Sequence, residues 1–345
     1  MRKFVALAVL TALPFAATIA LRAAAEIPAW AYAIAPPAPP ANAGGRGAAP
    51  AQADTSLKSI PGSARQFTLA QVGGREGGTP ADWFPEDHEP MPSIVAHGRA
   101  GDPNARACSL CHYPNGKGRP ENASVSGLPV SYFLQQLVDF RSDLRKSAEP
   151  RKANTNTMIL IAKSLTPEEM RQAAEYFGSI KWTPWIRVVE RNTVPKMKSN
   201  NGIWGPIQGE GAGTEPIGVR VIETPENLER TEVLRDPHSG MIAYVPIGSI
   251  KKGEAIVKTG GNGRTIACAN CHGPDLLGMG PVQGIAGRSP SYLARELYDM
   301  QAGTRNGEWT QLMKPVVAKL TSEDLVNIVA YVSSRPVNGA ANATK

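Results

Sequence analysis

The pattern Cys-x-x-Cys-His occurs twice, in ACSLCHY at residues 107–113 and in ACANCHG at residues 267–273, and these two motifs contain all four cysteines of the chain. Three chemistries use such a pattern. A thioredoxin-like dithiol needs a βαβ setting, and no such pattern surrounds either motif. A structural zinc site needs its second thiol pair within about 15–20 residues of the first, whereas these pairs are 160 residues apart. Covalent haem attachment needs two thiols on one turn of chain and an adjacent imidazole for the iron, which each motif supplies. Two copies with no spare cysteine therefore point to two attached haems.

The repeat extends beyond the motifs. A shift of 160 residues places Cys108, Cys111 and His112 on Cys268, Cys271 and His272, and it also places Gly127 on Gly287, SYFLQQLVDF from Ser131 on SYLARELYDM from Ser291, and Arg145 on Arg305. The shift then drops to 155, matching Met158 with Met313, Leu165-Thr166 with Leu320-Thr321 and Tyr176 with Tyr331. One unit has been used twice, with five extra residues in the first copy between Arg145 and Met158. Each unit carries three helical signals. The first precedes the motif, as PSIVAHGRAG and SIKKGEAIVKTG. The second follows it; in the later copy Ser289 is the expected N-cap, Pro290 the first helical residue and Gly303 the stop. The third opens with Thr166 or Thr321 and an acid three residues on, a capping box, followed by apolar faces Met170/Ala173/Ala174/Phe177 and Leu325/Ile328/Val329/Val332.

This arrangement resembles the class I cytochrome c fold, and the duplication is similar to the two-domain, two-haem cytochromes c of the bacterial periplasm. The resemblance covers roughly residues 91–181 and 248–336. It implies a mainly α chain: two tandem class I cytochrome c domains with a small β-containing insertion at 182–247. It implies two haems c bound through Cys108 and Cys111 and through Cys268 and Cys271, with His112 and His272 on the irons. In the family the loop ahead of the last helix gives the sixth ligand, a Met; Met158 and Met313 match, each seven residues before its Leu-Thr pair. A proline carbonyl past the haem His accepts the imidazole hydrogen bond, and Pro281 and Pro120 are the matching residues. Other methionines fit less well: Met170 and Met300 sit on apolar helix faces, Met279 is too close to its own motif, and Met91, Met197 and Met241 have no repeat partner. His88, His97 and His238 are the rival ligands; His97 for the first haem lacks a counterpart in the second copy.

Residues 1–25 combine MRK, an uncharged apolar run from Phe4 to Leu21 and an Ala23–Ala25 cleavage pattern. They read as a signal peptide or as an N-terminal anchor; either places the remainder outside the cytoplasmic membrane, in the periplasm. The Ala/Pro-rich stretch within 26–90 reads as a tether followed by an unassigned segment, and 337–345 as a tail. Net charge is +7, or +4 without residues 1–25 (34 basic against 30 acidic), too mild to argue for nucleic acid. WIRVVE, IGVRVIE and MIAYVPIG alternate as strands do. The insertion they form either fixes the two haem units relative to each other or offers a docking surface. Arg141, Arg145, Lys146, Arg151 and Lys152 form a basic run of the kind that is usually solvated, though some could face haem propionates or an acidic partner. The expected function is single-electron transfer between a redox donor and a terminal acceptor of a respiratory chain, with no catalysis of its own. The candidate partners are a dehydrogenase, a quinol-oxidising complex or a terminal oxidase. The alternatives are the haem subunit of a dehydrogenase complex, or an enzyme whose first haem is open.

Overall fold

The computed structural model describes residues 26–34, 54–75, 78–200 and 202–337; the signal or anchor segment, residues 35–53 of the Ala/Pro-rich stretch and most of the tail lie outside them. The described start of the expected tether is a built-in element. A single turn, α1 (Ala29–Tyr32), carries two aromatic residues, and Tyr32 is buried with its hydroxyl donating to Asp299 over 2.9 Å. The previously unassigned segment holds a second turn, α2 (Leu69–Val72), and a small core of Ile60, Val72, Trp83 and Phe84.

The first unit contains a single turn α3 (Ser93–Ala96), the motif turn α4 (Ser109–His112), and the longer helices α5 (Val130–Arg141), α6 (Ala153–Ser164) and α7 (Pro167–Ser179). Gly98 turns the chain off α3 at φ +73°; a Cβ there would lie 2.2 Å from the Ala105 carbonyl oxygen, so the chain closes tightly just ahead of the motif. The Thr166 capping box forms, Met170, Ala173 and Phe177 pack in one core with Ile94, Val95, Leu137 and Ile161, and Ala174 is buried as well. Helix α7 runs through Gly178 to Ser179.

The second unit repeats the plan with α8 (Ser249–Thr259), α9 (Ala269–His272), α10 (Pro290–Gln301), α11 (Thr310–Val317) and α12 (Ser322–Ser333). The Ser289 hydroxyl caps α10 by accepting from the Tyr292 amide at 3.1 Å, and the Thr321 box caps α12. Here the first helix is three turns long and lies directly on the last. Gly253 makes this possible, because a Cβ at that position would sit 1.9 Å from the Asn327 carbonyl oxygen.

Between the units run β1 (Ile186–Glu190), β2 (Thr193–Pro195), β3 (Met197–Asn200), β4 (Ile203–Pro206), β5 (Thr214–Pro216), β6 (Ile222–Pro225) and β7 (Met241–Val245). Strand β7 is central in a three-stranded sheet, parallel to β1 and antiparallel to β6. A short hairpin, β8 (Gly278–Met279) and β9 (Val282–Gln283), follows the second motif. The three-stranded sheet packs on the second unit, burying Ile186, Val188, Met241, Ala243 and Val245 against Ala294, Val326, Val329 and Ala330. The segment between β6 and β7 instead leans on the first unit: Tyr113 donates to the Thr231 carbonyl and Arg119 pairs with Glu232 at 2.5 Å. One insertion therefore grips both units.

Candidate functional site

On α4 and α9 the thiols and imidazole occupy positions i, i+3 and i+4 of a single turn, so they share one side of the chain. His112 and His272 each donate through Nδ1 to a main-chain carbonyl at 2.8 Å, that of Ala123 and that of Gln283. This corrects the proline expectation. The acceptor lies eleven residues past the histidine in both copies, beyond the proline; the Pro120 carbonyl instead accepts from Arg295 at 2.6 Å, and Pro281 is exposed. A carbonyl only accepts, so Nδ1 carries the proton and the Nε2 lone pair is left for a metal. Burial lowers the pKa of both imidazoles, which keeps them in that neutral form.

The two motifs line separate cavities, so the four thiols do not meet in one zinc site. Burial pushes the Cys108 thiol up to about 12 and the Cys268 thiol up to about 11, the reverse of the lowered pKa an attacking redox thiol needs. The first cavity has about 100 Å³ and a smaller annex of about 30 Å³ that shares His112, Phe133, Leu137 and Met158 with it and reaches Cys108 and Cys111. The second has about 310 Å³ and brings together Cys268, Cys271, His272 and Met313 with Leu293, Leu297, Met300 and Ile328. Both methionines stand on helices, Met158 on α6 and Met313 on α11, rather than on the loop expected for them. None of the rival histidines lines these cavities. His97 is exposed beside the Thr79 hydroxyl, His88 faces Asp82, and His238 stacks on Phe84.

The ends of the cavities that face each other are polar. Arg145, Lys152 and Arg295 line the first, Arg288 and Arg305 the second. Two members of the basic run are therefore buried, contrary to the solvated reading. Lys152 is 3 % exposed and, among the described residues, has no carboxylate within ion-pair distance and just Asn154 Oδ1 at 3.5 Å; burial and the Arg295 charge push it down to about 7. An ammonium left this way fits a cavity meant for a ligand with its own carboxylates, as a haem with two propionates is.

Between the cavities, residues at matching positions of the two copies meet. Arg145 pairs with Glu296 at 3.0 Å and donates to Gln136 at 2.9 Å and to the Tyr292 hydroxyl at 3.2 Å. Arg305 pairs with the same Glu296 at 2.6 Å and donates to Gln136 at 2.8 Å and the Tyr132 hydroxyl at 2.9 Å. Arg145 and Arg305 also form a main-chain bridge to each other. The 160-residue offset marks Arg145 and Arg305 as repeat partners, but nothing in the sequence signals that they meet each other and share Glu296.

The family model described as cytochrome c matches residues 250–336. Cytochrome c4 of Azotobacter vinelandii is 31% identical over 238 residues, covering 68% of this chain and 86% of that protein. The chain belongs to the dihaem cytochromes c4. As a member it carries two covalently attached haems c and transfers electrons. The thiosulfate dehydrogenase electron acceptor of Thiomonas intermedia (strain K12) is 22% identical over 283 residues, 81% of this chain and 95% of that one. The cytochrome c4 structure from Acidithiobacillus ferrooxidans aligns with a TM-score of 0.42 at 21% identity, covering 66% of this chain and 97% of that chain. Among the described residues, no helix is long and apolar enough to cross a membrane.

Proposed function

We propose that Cys108 and Cys111 hold the first haem and Cys268 and Cys271 the second, with His112 and Met158 on one iron and His272 and Met313 on the other, in domains spanning 91–181 and 248–336. The observation that carries this reading is that the two methionines at matching positions of the repeat, Met158 and Met313, each line the same apolar-walled space as the motif histidine of their own copy. The bound haem supplies one-electron chemistry at its iron. The Ala123 and Gln283 carbonyls fix the ring orientation of the two histidines and make them stronger donors. A thioether on the second face favours the reduced iron, and the apolar walls act in the same direction by excluding water. His112 with Met158 and His272 with Met313 would hold the two irons through the chain's own side chains and would leave no position for a substrate, which supports a carrier over a catalyst. Lys152 and Arg295 supply positive charge for propionates of the first haem.

The carrier works in the periplasm, between a donor and a terminal acceptor of a respiratory chain. A second reading, the electron-accepting component of a dehydrogenase system, draws support from the length of the match to the Thiomonas protein, whose name states that role. Absorption spectra of the oxidised and reduced protein with a haem-to-protein ratio test the assignment. Two haems per chain are expected, with a far-red ferric band that falls by about half in Met158→Ala, by about half in Met313→Ala, and disappears when both are replaced. A band unchanged by either substitution refutes the ligand set.

A further inference from the structure

The two units differ sharply at the edge where the cysteines reach the surface. After the second motif the chain is open: Cys271, Pro274, Asp275, Gly280 and Pro281 are exposed. At the matching positions of the first copy Cys111 is half-buried, and Pro114, Asn115, Pro120 and Glu121 are buried. The cover comes from the insertion and the segment ahead of the first unit. Arg235 lies over the Tyr113 ring, 5.0 Å from its centroid, and donates to the Leu110 carbonyl between the two motif cysteines. Glu232 holds Arg119, His238 bonds Asp87 at 2.7 Å while Asp87 accepts from Asn115 at 3.2 Å, and Trp83 braces the flap through the Leu234 carbonyl at 2.8 Å.

The side chains follow the same division. Ile266, Leu277 and Met279 are 45%, 47% and 56% exposed around the second motif, and Leu312 on α11 is 78% exposed at the cavity mouth beside Met313. Their counterparts in the first copy are Arg106, Lys117, Arg119 and Thr157. Large apolar side chains standing in water at one copy's mouth, where the other copy has polar ones, mark a contact surface. The exposed residues of α11 and the turn after it add Lys314 and Lys319, neither with a carboxylate at ion-pair distance among the described residues, and no acid.

We infer that partner proteins reach this cytochrome through one port, the apolar mouth of the second cavity beside Lys314 and Lys319, because the insertion closes the equivalent edge of the first. The occupant is a redox protein that presents an apolar patch bordered by carboxylates. The first haem then exchanges electrons with partners by way of the second and serves as an internal store. This rests on the haem positions proposed above.

The test uses the full dihaem protein, reduced, and mixed in a stopped-flow instrument with a plastocyanin, an acidic copper protein, or with ferricyanide. The wild-type rate with plastocyanin should fall as salt rises. Lys314→Glu and, separately, Ile266→Glu/Leu277→Glu, which lie off the iron ligands, should each lower it by about tenfold, while Arg106→Glu at the first edge leaves it within about twofold. Unchanged spectra of both haems in each variant show that folding is intact. A loss in Arg106→Glu equal to that in Lys314→Glu, or no loss in either port variant, overturns the single port. A two-haem wild-type protein that exchanges electrons with neither plastocyanin nor ferricyanide would instead overturn the carrier reading itself.

Discussion

Gly253→Ala sets two effects of opposite sign against each other. Replacing a mid-helix glycine with alanine favours the helix by about 1 kcal/mol. The new Cβ, however, would lie 1.9 Å from the Asn327 carbonyl oxygen and 2.8 Å from the Tyr331 Cβ, against an ordinary contact of 3.4 Å or more. The obstacle is main chain and cannot turn aside, so α8 and α12 must separate by about 1.5 Å at this point, the difference between those two distances. A gap of even 0.5–1 Å forfeits roughly a quarter to a half of each dispersion contact, and Ile256, Val257, Val326, Val329 and Ala330 are all nearly fully buried along the two helices. Overpacking of this kind costs about 3 kcal/mol, so the net loss is about 2 kcal/mol after the helix gain. That lowers Tm by about 4–8 °C. Guanidinium and thermal unfolding followed by far-UV circular dichroism measure it. Ser93→Ala, at the matching place in the first copy where the side chain is exposed, should change stability by less than about 0.5 kcal/mol. A Gly253→Ala protein as stable as the wild type would refute the close-crossing argument.

Glu296→Gln leaves Arg145 and Arg305 buried without their shared carboxylate and should cost about 3–5 kcal/mol by denaturant unfolding; a loss under about 1 kcal/mol would mean the network is not closed to water. Asp299 is pushed up to about 6, first by burial and then by the Glu296 charge. Its folded-state pKa lies above the ordinary 3.8, so its contribution is most favourable below about pH 4, is lost between about pH 4 and pH 6, and stays lost above. Stability relative to Asp299→Asn should therefore fall by about 3 kcal/mol from pH 4 to pH 7, and a flat difference across that range sinks the assignment. Arg235→Ala removes the donor on the Leu110 carbonyl and the cation over Tyr113, so amide exchange should quicken across residues 110–121; unchanged protection there would show that the flap is held by other contacts.

What could be read in advance was local or duplicated. The capping boxes of α7 and α12 and their buried faces need only neighbours in sequence, and the second copy confirms the spacing of the first. The carbonyl that receives each imidazole proton was misplaced by two or three residues, since main-chain oxygens carry no residue-type signal and the loop path decides which one arrives. A lysine within a basic run is normally solvated, but Lys152 is buried where distant parts of the chain come together, with Gly202 close to its Nζ and the Arg295 charge acting on it. The cover over the first motif was hidden for the same reason. Arg235 and Leu110 are 125 residues apart, and no periodicity announces their meeting.

Near the axis of an isologous homodimer every residue faces its own copy, and any substitution is made on both sides at once. Arg145 and Arg305 face each other in that manner within a single polypeptide. Fusion frees the halves from the rule. Position 136 is a glutamine and its duplicate, position 296, a glutamate, so a single negative charge answers two guanidiniums in a centre with unequal sides. Two identical subunits could not build that centre, and two haems placed on either side of it need not share one electrostatic surrounding.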